Sequence, residues 1–268
     1  MKGQLILISS ILLSLYFAAH AQKTQIKSQR TVITAQSQTN APVKAIKRGH
    51  KHKVRKKDNR PYLTINDVRN IDSLWGIDIS HHQTEIDWNA LEAEKPHFMF
   101  IKATQGIDIE DHKYSTYYAE AKKLGIPVGS YHFFTYKYDG KQQAEKFLSV
   151  AQNQSGDLLP VLDAERTRHM PRNKYKITSE LTAFIETVYE KLGHYPIIYC
   201  TYAYSQLYLN EEILKKCKLW IADYKSKPKC NYVVWQATDR LKLAAIKEHV
   251  DLNFLNRDSC SLQEIFKP

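Results

Sequence analysis

Residues 159–200 read LPVLDAERTRHMPRNKYKITSELTAFIETVYEKLGHYPIIYC, and their pattern decides the fold. An apolar run, Leu159–Asp163, leads into a segment where Leu181, Phe184, Ile185, Val188, Tyr189 and Leu192 recur at i, i+3, i+4, i+7, i+8 and i+11. That spacing predicts an amphipathic helix over 178–192. A second apolar run, Pro196–Cys200, follows. The unit is therefore strand, helix, strand, and such units fold as right-handed crossovers that join parallel strands.

The same alternation extends in both directions. Further strand-like runs occur at Trp75–Ile79, Phe98–Lys102, Val128–Phe134, Leu219–Asp223, Tyr232–Gln236 and His249–Phe254, and weaker helical patterns cover 87–95, 113–124, 140–152 and 203–216. Eight strands are thus matched by five helices. A parallel crossover takes roughly a dozen residues or more, and only Tyr224 to Asn231 separate the sixth and seventh runs. Those two runs are expected to pair antiparallel. The predicted fold is α/β, a modified TIM-like (β/α)5(β)3 barrel forming a single domain over 71–268, long enough to bury a substantial core.

The remainder of the chain reads differently. Its 268 residues hold 39 Lys+Arg against 28 Asp+Glu, with 43% hydrophobic residues, 9 Gly and 9 Pro, which excludes a collagen-like or wholly disordered protein. The formal charge of +11 points at first to nucleic acid, but residues 22–60 alone carry twelve Lys/Arg and one acid, Asp58. Residues 61–268 hold 26 basic and 27 acidic side chains. The excess belongs to a tail, so no specific nucleic-acid partner is expected.

Between Gln22 and Arg60 there is no aromatic residue, too little apolar surface to offset ordering entropy. Residues 22–70 are expected to form a flexible basic linker. It is either a solvated spacer or an electrostatic contact to an anionic wall or membrane surface. Ahead of it, Lys2 precedes an apolar run from Leu5 to Ala19, then Ala19-His20-Ala21. The run is shorter than the roughly 20 residues of a spanning helix, so residues 1–21 predict a cleavable signal peptide and export to the periplasm or beyond. In an exported chain the even set Cys200, Cys217, Cys230 and Cys260, without C-x-x-C spacing, predicts one or two disulfides and no zinc centre.

Catalytic groups of such barrels gather at the C-terminal ends of the strands. Four acids meet that condition: Asp78 in the first run, Asp163 and Glu165 at the end of the fourth, and Asp251 in the eighth. Residues i and i+2 of a strand share a face with bases about 6.6 Å apart. Two carboxyls so placed oppose each other's ionisation and can keep one protonated near neutral pH. That suits glycosidic cleavage, in which one group protonates the departing oxygen and another carboxylate attacks or stabilises the oxocarbenium-like centre.

Other residues carry two readings. Tyr131 shares a strand face with Phe133 and is the chosen substrate contact, since a phenol packs on a sugar and hydrogen-bonds at its tip. Tyr199 and Trp235 line a groove or fill the core, and Asp223 joins the groove or lies on the surface. His81 and His82, adjacent on an extended segment, point opposite ways and share no metal. Asp87-Trp88 starts a helix. With no nucleophile elbow, phosphate loop or dinucleotide fingerprint, no cofactor is expected. A glycoside hydrolase and a non-catalytic glycan-binding barrel both fit, and the presence of all four acids favours the enzyme.

The segments Gly76–Ser80 with Ile86-Asp87-Trp88, Phe100–Gly106, Gly125–Phe134, Asp163-Ala164-Glu165, Leu219–Ala222, Val234-Trp235-Gln236 and Val250–Asn253 together resemble glycoside hydrolase family 25, the Chalaropsis-type lysozymes or N-acetylmuramidases. They occur in the family's order and span nearly everything from Trp75 to about Asn256. The resemblance implies hydrolysis of the β-1,4 bond between N-acetylmuramic acid and N-acetylglucosamine in peptidoglycan, by a monomer without cofactor, on a (β/α)5(β)3 barrel. It makes Glu165 the general acid, and Asp163 either nucleophile or orienter of the 2-acetamido group. Asp78 and Asp251 become the outer acidic pair. Gln105 departs from the family, standing where Glu is common.

Overall fold

A computed structural model of the chain describes residues 60–267. The predicted signal peptide and all but the end of the predicted linker lie outside the described residues. In chain order the elements are β1 (Leu63–Thr64), α1 (Ile65–Arg69), β2 (Trp75–Ile79), α2 (Trp88–Glu94), β3 (Phe98–Gln105), β4 (Ile109–Glu110), α3 (Tyr114–Lys123) and β5 (Val128–Phe133). Then follow α4 (Gly140–Val150), β6 (Val161–Asp163), α5 (Lys174–Leu192), β7 (Ile197–Thr201), α6 (Tyr202–Tyr208), α7 (Glu211–Lys216), β8 (Leu219–Ala222), β9 (Val234–Leu243) and β10 (Ile246–Leu255). None of the described helices is long and apolar enough to cross a membrane.

Strand order β9-β10-β2-β3-β5-β6-β7-β8 returns to β9, which closes an eight-stranded barrel. From β2 through β8 every neighbouring pair on the ring is parallel. Two expectations need correction. The sixth and seventh runs pair parallel, Trp220 opposite Val234 and Ala222 opposite Gln236; the antiparallel pairs of the ring are β9 with β10 and β10 with β2. Both strands are shorter at the facing ends than their apolar runs, so residues 223–233 are free to cross back over the barrel end without a helix. The folded chain also starts before position 71: β1 pairs parallel with β9, Leu63 opposite Leu241, and Val68 of α1 is buried.

The barrel interior and the layer between barrel and helices follow from the two-residue period of the strands. Phe98, Phe100, Val161, Ile197, Trp220, Val234 and Leu255 pack together inside, whereas Ile77, Ile79, Met99, Ile101, Leu162, Ile198 and Ile221 face the helices. The 178–192 pattern is the core stripe of α5: Leu181, Phe184, Ile185 and Val188 are buried, while Tyr189 is 40% exposed. Asp87 caps α2, its Oδ1 accepting the Ala90 amide at 3.0 Å. His132, on the outward face of β5, bonds Thr104 at 2.7 Å and is sealed under helices, and burial pushes its pKa down to about 3.

Gly140 shows how closely α4 and α5 approach. A Cβ there would lie 1.8 Å from the Glu180 carbonyl oxygen, a backbone atom that cannot rotate aside. Gly140→Ala is expected to cost about 3 kcal/mol through forced separation of the helices, read as a lower urea midpoint; an unchanged midpoint would refute this packing.

The predicted disulfides are absent: all four cysteines are free. Cys200 and Cys217 behave as small apolar side chains in the helix-facing core, and burial pushes the Cys217 thiol up to about 12. Cys260 belongs to the interior cluster instead, its thiol donating to the Ser261 carbonyl.

Candidate active site

Inward positions at the C-terminal ends of the parallel strands meet inward residues of β9 and of the middle of antiparallel β10 in one cavity of about 180 Å³. Its lining includes Asp78, Ser80, His82, Lys102, Tyr131, Phe133, Asp163, Glu165, Tyr199, Trp220, Gln236 and Asp251. All four acids read from the sequence are therefore brought together, with Tyr131 and Tyr199. The placement follows from register: Phe133, Asp163 and Tyr199 are successive partners across β5, β6 and β7, and Asp251 faces Asp78 across β10 and β2.

Asp78 is held by two amides. Its Oδ2 accepts Gln236 Nε2 at 3.0 Å and Asn253 Nδ2 at 2.7 Å. Each amide is itself oriented: Gln236 Oε1 accepts the phenols of Tyr199 at 2.8 Å and Tyr224 at 2.7 Å, and Asn253 Oδ1 accepts Trp220 Nε1 at 2.9 Å. These donors favour the ionised form of Asp78, but burial outweighs them and raises its pKa. Asp251 is raised well above the usual carboxylate range by burial, then by the Asp78 charge and their hydrogen bond. Each carboxyl of the pair thus opposes a second negative charge beside it.

Asp163 is also raised well above the ordinary range, by burial first and then by Glu165 and Asp78. Its Oδ1 is buried without a hydrogen-bond partner among the described residues. Burial raises Glu165 as well, against the opposing hydrogen bond from Tyr199. Glu165 thus opposes the ionisation of Asp163, as the i, i+2 spacing implied.

Several lining residues were not singled out from the sequence. Lys102 is 6% exposed, a cation aimed from β3 into the acids; burial lowers its pKa while Asp163, Asp111 and Glu165 raise it. Its Nζ donates to Gln105 Oε1 at 2.7 Å, so the residue that departs from the family pattern is a neutral partner of this lysine. A lysine on the inward phase of the apolar run FMFIKA was the available signal. Asn253, two positions after Asp251, carried the same i, i+2 signal as Asp163 and Glu165.

Two expected contacts lie elsewhere. Trp235 faces outward on β9, packs against Phe254 with centroids 5.7 Å apart and donates Nε1 to the Asp223 carbonyl at 2.8 Å. Asp223 lines an adjoining cavity with Glu165 and Tyr199, but its Oδ1 accepts the Lys225 amide at 2.9 Å. His81 and His82 do not diverge: they sit in the turn after β2, where their rings lie 4.2 Å apart, and His81 Nδ1 meets Asp111 Oδ2 at 2.7 Å. Among the described residues no group of three or more ligating side chains is placed to hold a metal ion.

The raised pair has a consequence for stability. A carboxyl whose folded pKa exceeds its unfolded value stabilises below the ordinary carboxylate range, and that contribution is lost as pH rises through the folded value. Asp251→Asn removes the burden at neutral pH. The variant is expected to melt several degrees higher at pH 7, with the difference vanishing below about pH 4, where the aspartate is itself neutral. A lower melting temperature at pH 7 would contradict a strained pair.

The sequence pattern of glycosyl hydrolases family 25 matches residues 77–246. The chain is 31% identical over 184 residues to an autolytic lysozyme of Clostridium acetobutylicum, an alignment covering 66% of this chain and 54% of that one. It thus spans about half the length of that relative. Among solved structures, a family 25 glycosyl hydrolase from Bacillus anthracis superposes with a TM-score of 0.66 at 30% identity, covering 72% of this chain and 93% of that one. A muramidase from Trichobolus zukalii gives 0.64 at 26% identity over 72% and 96% of the two chains.

Proposed function

The chain belongs to glycosyl hydrolases family 25, and from that premise we propose that it is an exported N-acetylmuramidase. It hydrolyses the β-1,4 bond between N-acetylmuramic acid and N-acetylglucosamine in peptidoglycan, with retention of configuration. The observation that carries this reading is the convergence of Asp78, Asp163, Glu165 and Asp251 on one cavity at the strand ends.

Glu165 is the general acid. Like Asp251, and unlike the buried Asp78 and Asp163, it is only half-buried, and burial raises its carboxyl toward the range where a leaving sugar oxygen can take the proton. Asp163 faces the sugar from the same side of β6, and its unpartnered Oδ1 is free for the substrate. Two chemistries are open to it: bonding to the anomeric carbon, or holding the acetamido group so that its oxygen attacks. Asp78 and Asp251, with their fixed amides, supply negative potential near the developing positive charge. Tyr131 packs on the sugar. Residues 1–21 direct export, and the basic segment after them favours an anionic wall.

Mass analysis of peptidoglycan digested by the purified protein tests the reading. Release of muropeptides ending in reducing N-acetylmuramic acid is expected. Reducing N-acetylglucosamine, or wall binding without any release, would overturn it, the latter in favour of a glycan-binding barrel.

A further inference from the structure

The floor of the cavity is acidic, but one wall of its mouth is basic. A second cavity of about 640 Å³ adjoins the first, the two sharing Glu165 and Tyr199. Arg166 and Lys225 line it from different loops, the one after β6 and the one between β8 and β9. Residues 166–173 carry Arg166, Arg168 and Arg172 with no acid, and residues 223–233 carry three lysines against Asp223 alone. Across 61–268 as a whole the charges nearly cancel, so this clustering is local.

The two cations that reach the cavity are also uncommitted. Neither Arg166 nor Lys225 has a carboxylate within ion-pair distance among the described residues, whereas nearby Lys227 pairs with Asp258 at 3.3 Å. Arg166 lies over the Tyr208 ring, its Cζ 5.8 Å from the centroid. The acids lining the same cavity are Glu165, whose ionisation burial disfavours, and Asp223, whose Oδ1 is engaged by backbone amides.

We propose that Arg166 and Lys225 form a carboxylate-binding annex that recognises the anionic substituent on the sugar beside the cleaved bond. This rests on the muramidase reading. In peptidoglycan two sources offer that chemistry: the carboxyls of the peptide on muramic acid or, on a sugar without peptide, the free lactyl carboxyl, which peptide attachment converts to a neutral amide. A guanidinium takes a carboxylate through paired N–H donors and an ammonium takes it as a point charge. The annex makes the enzyme selective for charged strands over neutral glycan of the same backbone.

The test compares kcat/KM on three substrates: intact strands, strands stripped of peptide by an amidase, and intact strands whose carboxyls have been converted to methylamides. Wild type is expected to prefer intact over methylamidated strands roughly tenfold, the effect of one charge-assisted contact. The preference shrinks in roughly 0.5 M salt, where exposed charges are screened. An amidase leaves a free lactyl carboxyl where the peptide was, so stripped strands that match intact ones show that the annex accepts the lactyl carboxylate as well as the peptide's; stripped strands that fall to the methylamidated level assign the contact to the peptide alone.

In Arg166→Gln/Lys225→Gln the preference should collapse toward unity. In Lys141→Gln/Lys215→Gln, which removes two exposed cations elsewhere, it should persist. A perturbed Glu165 would slow all substrates equally and leave the ratio intact, so the ratio separates recognition from damage to the acid. If the double variant does not fold, the exposed single change Lys225→Gln carries the test, with a partial loss expected. A wild-type ratio near one, or a variant that keeps the wild-type ratio, overturns the annex and leaves the muramidase standing. Failure to cleave any of the three overturns the muramidase instead.

Discussion

Glu165→Gln is expected to lower kcat on peptidoglycan on the order of 10³-fold while leaving strand binding near its original strength, because the amide keeps the shape of the acid but has no proton to give. A poor leaving group such as a sugar alkoxide needs that proton; an aryl oxide far less. The same variant should therefore lose much less activity on an aryl glycoside. The pH profile follows from the cause of the shift. Burial holds the Glu165 carboxyl above its ordinary range, so activity stays high below that raised value and falls as pH climbs through it. Lys102 opposes the rise, and Lys102→Met should move the alkaline limb to higher pH. Peptidoglycan turnover within tenfold of wild type in Glu165→Gln would remove Glu165 from the role.

Asp163→Ala should cost on the order of 10²- to 10³-fold, and its products reveal which chemistry the residue performs. If Asp163 bonds to the anomeric carbon, azide added to the variant on an activated substrate enters from the vacated face and yields the α-glycosyl azide. If the acetamido oxygen attacks, the sugar is still shielded on that face and any azide product is β. Unimpaired turnover would show that the orphaned Oδ1 faces nothing that reacts. Both experiments leave the barrel intact, since each substitution reduces the charge crowded into the cavity.

Much of this was legible beforehand because burial and chemistry wrote opposite signals on alternate residues of the same strands. Apolar runs located all eight barrel strands, and an acid interrupting such a run at its C-terminal end marked the floor of the cavity. The 178–192 helix was readable because one stripe of it meets the barrel and the other meets water. The sense of β9 was not, because strand ends are set by tertiary pairing, and trimming one residue or two from each run decides whether a connection is long enough to return. Trp235 was misplaced for a related reason. Its neighbour Gln236 is the inward residue, and aromatic character says nothing about phase. The cysteines were read through compartment instead of geometry, while in the fold Cys200 and Cys217 sit where a small hydrophobe is wanted.

The ring is closed at β8 and β9 by three partnered positions, Trp220 to Ala222 against Val234 to Gln236, as many as join β6 to each of its neighbours, but with a bare loop in place of a bracing helix. That seam is where the cylinder should come undone first, as the weakest cooperative unit of the sheet. Trp220 and Gln236 border it, and through Asn253 and Gln236 they orient Asp78. Amides along the seam should exchange with deuterium sooner than those of β3 and β5. Gentle warming should accordingly silence the enzyme at temperatures where circular dichroism still reports an intact protein.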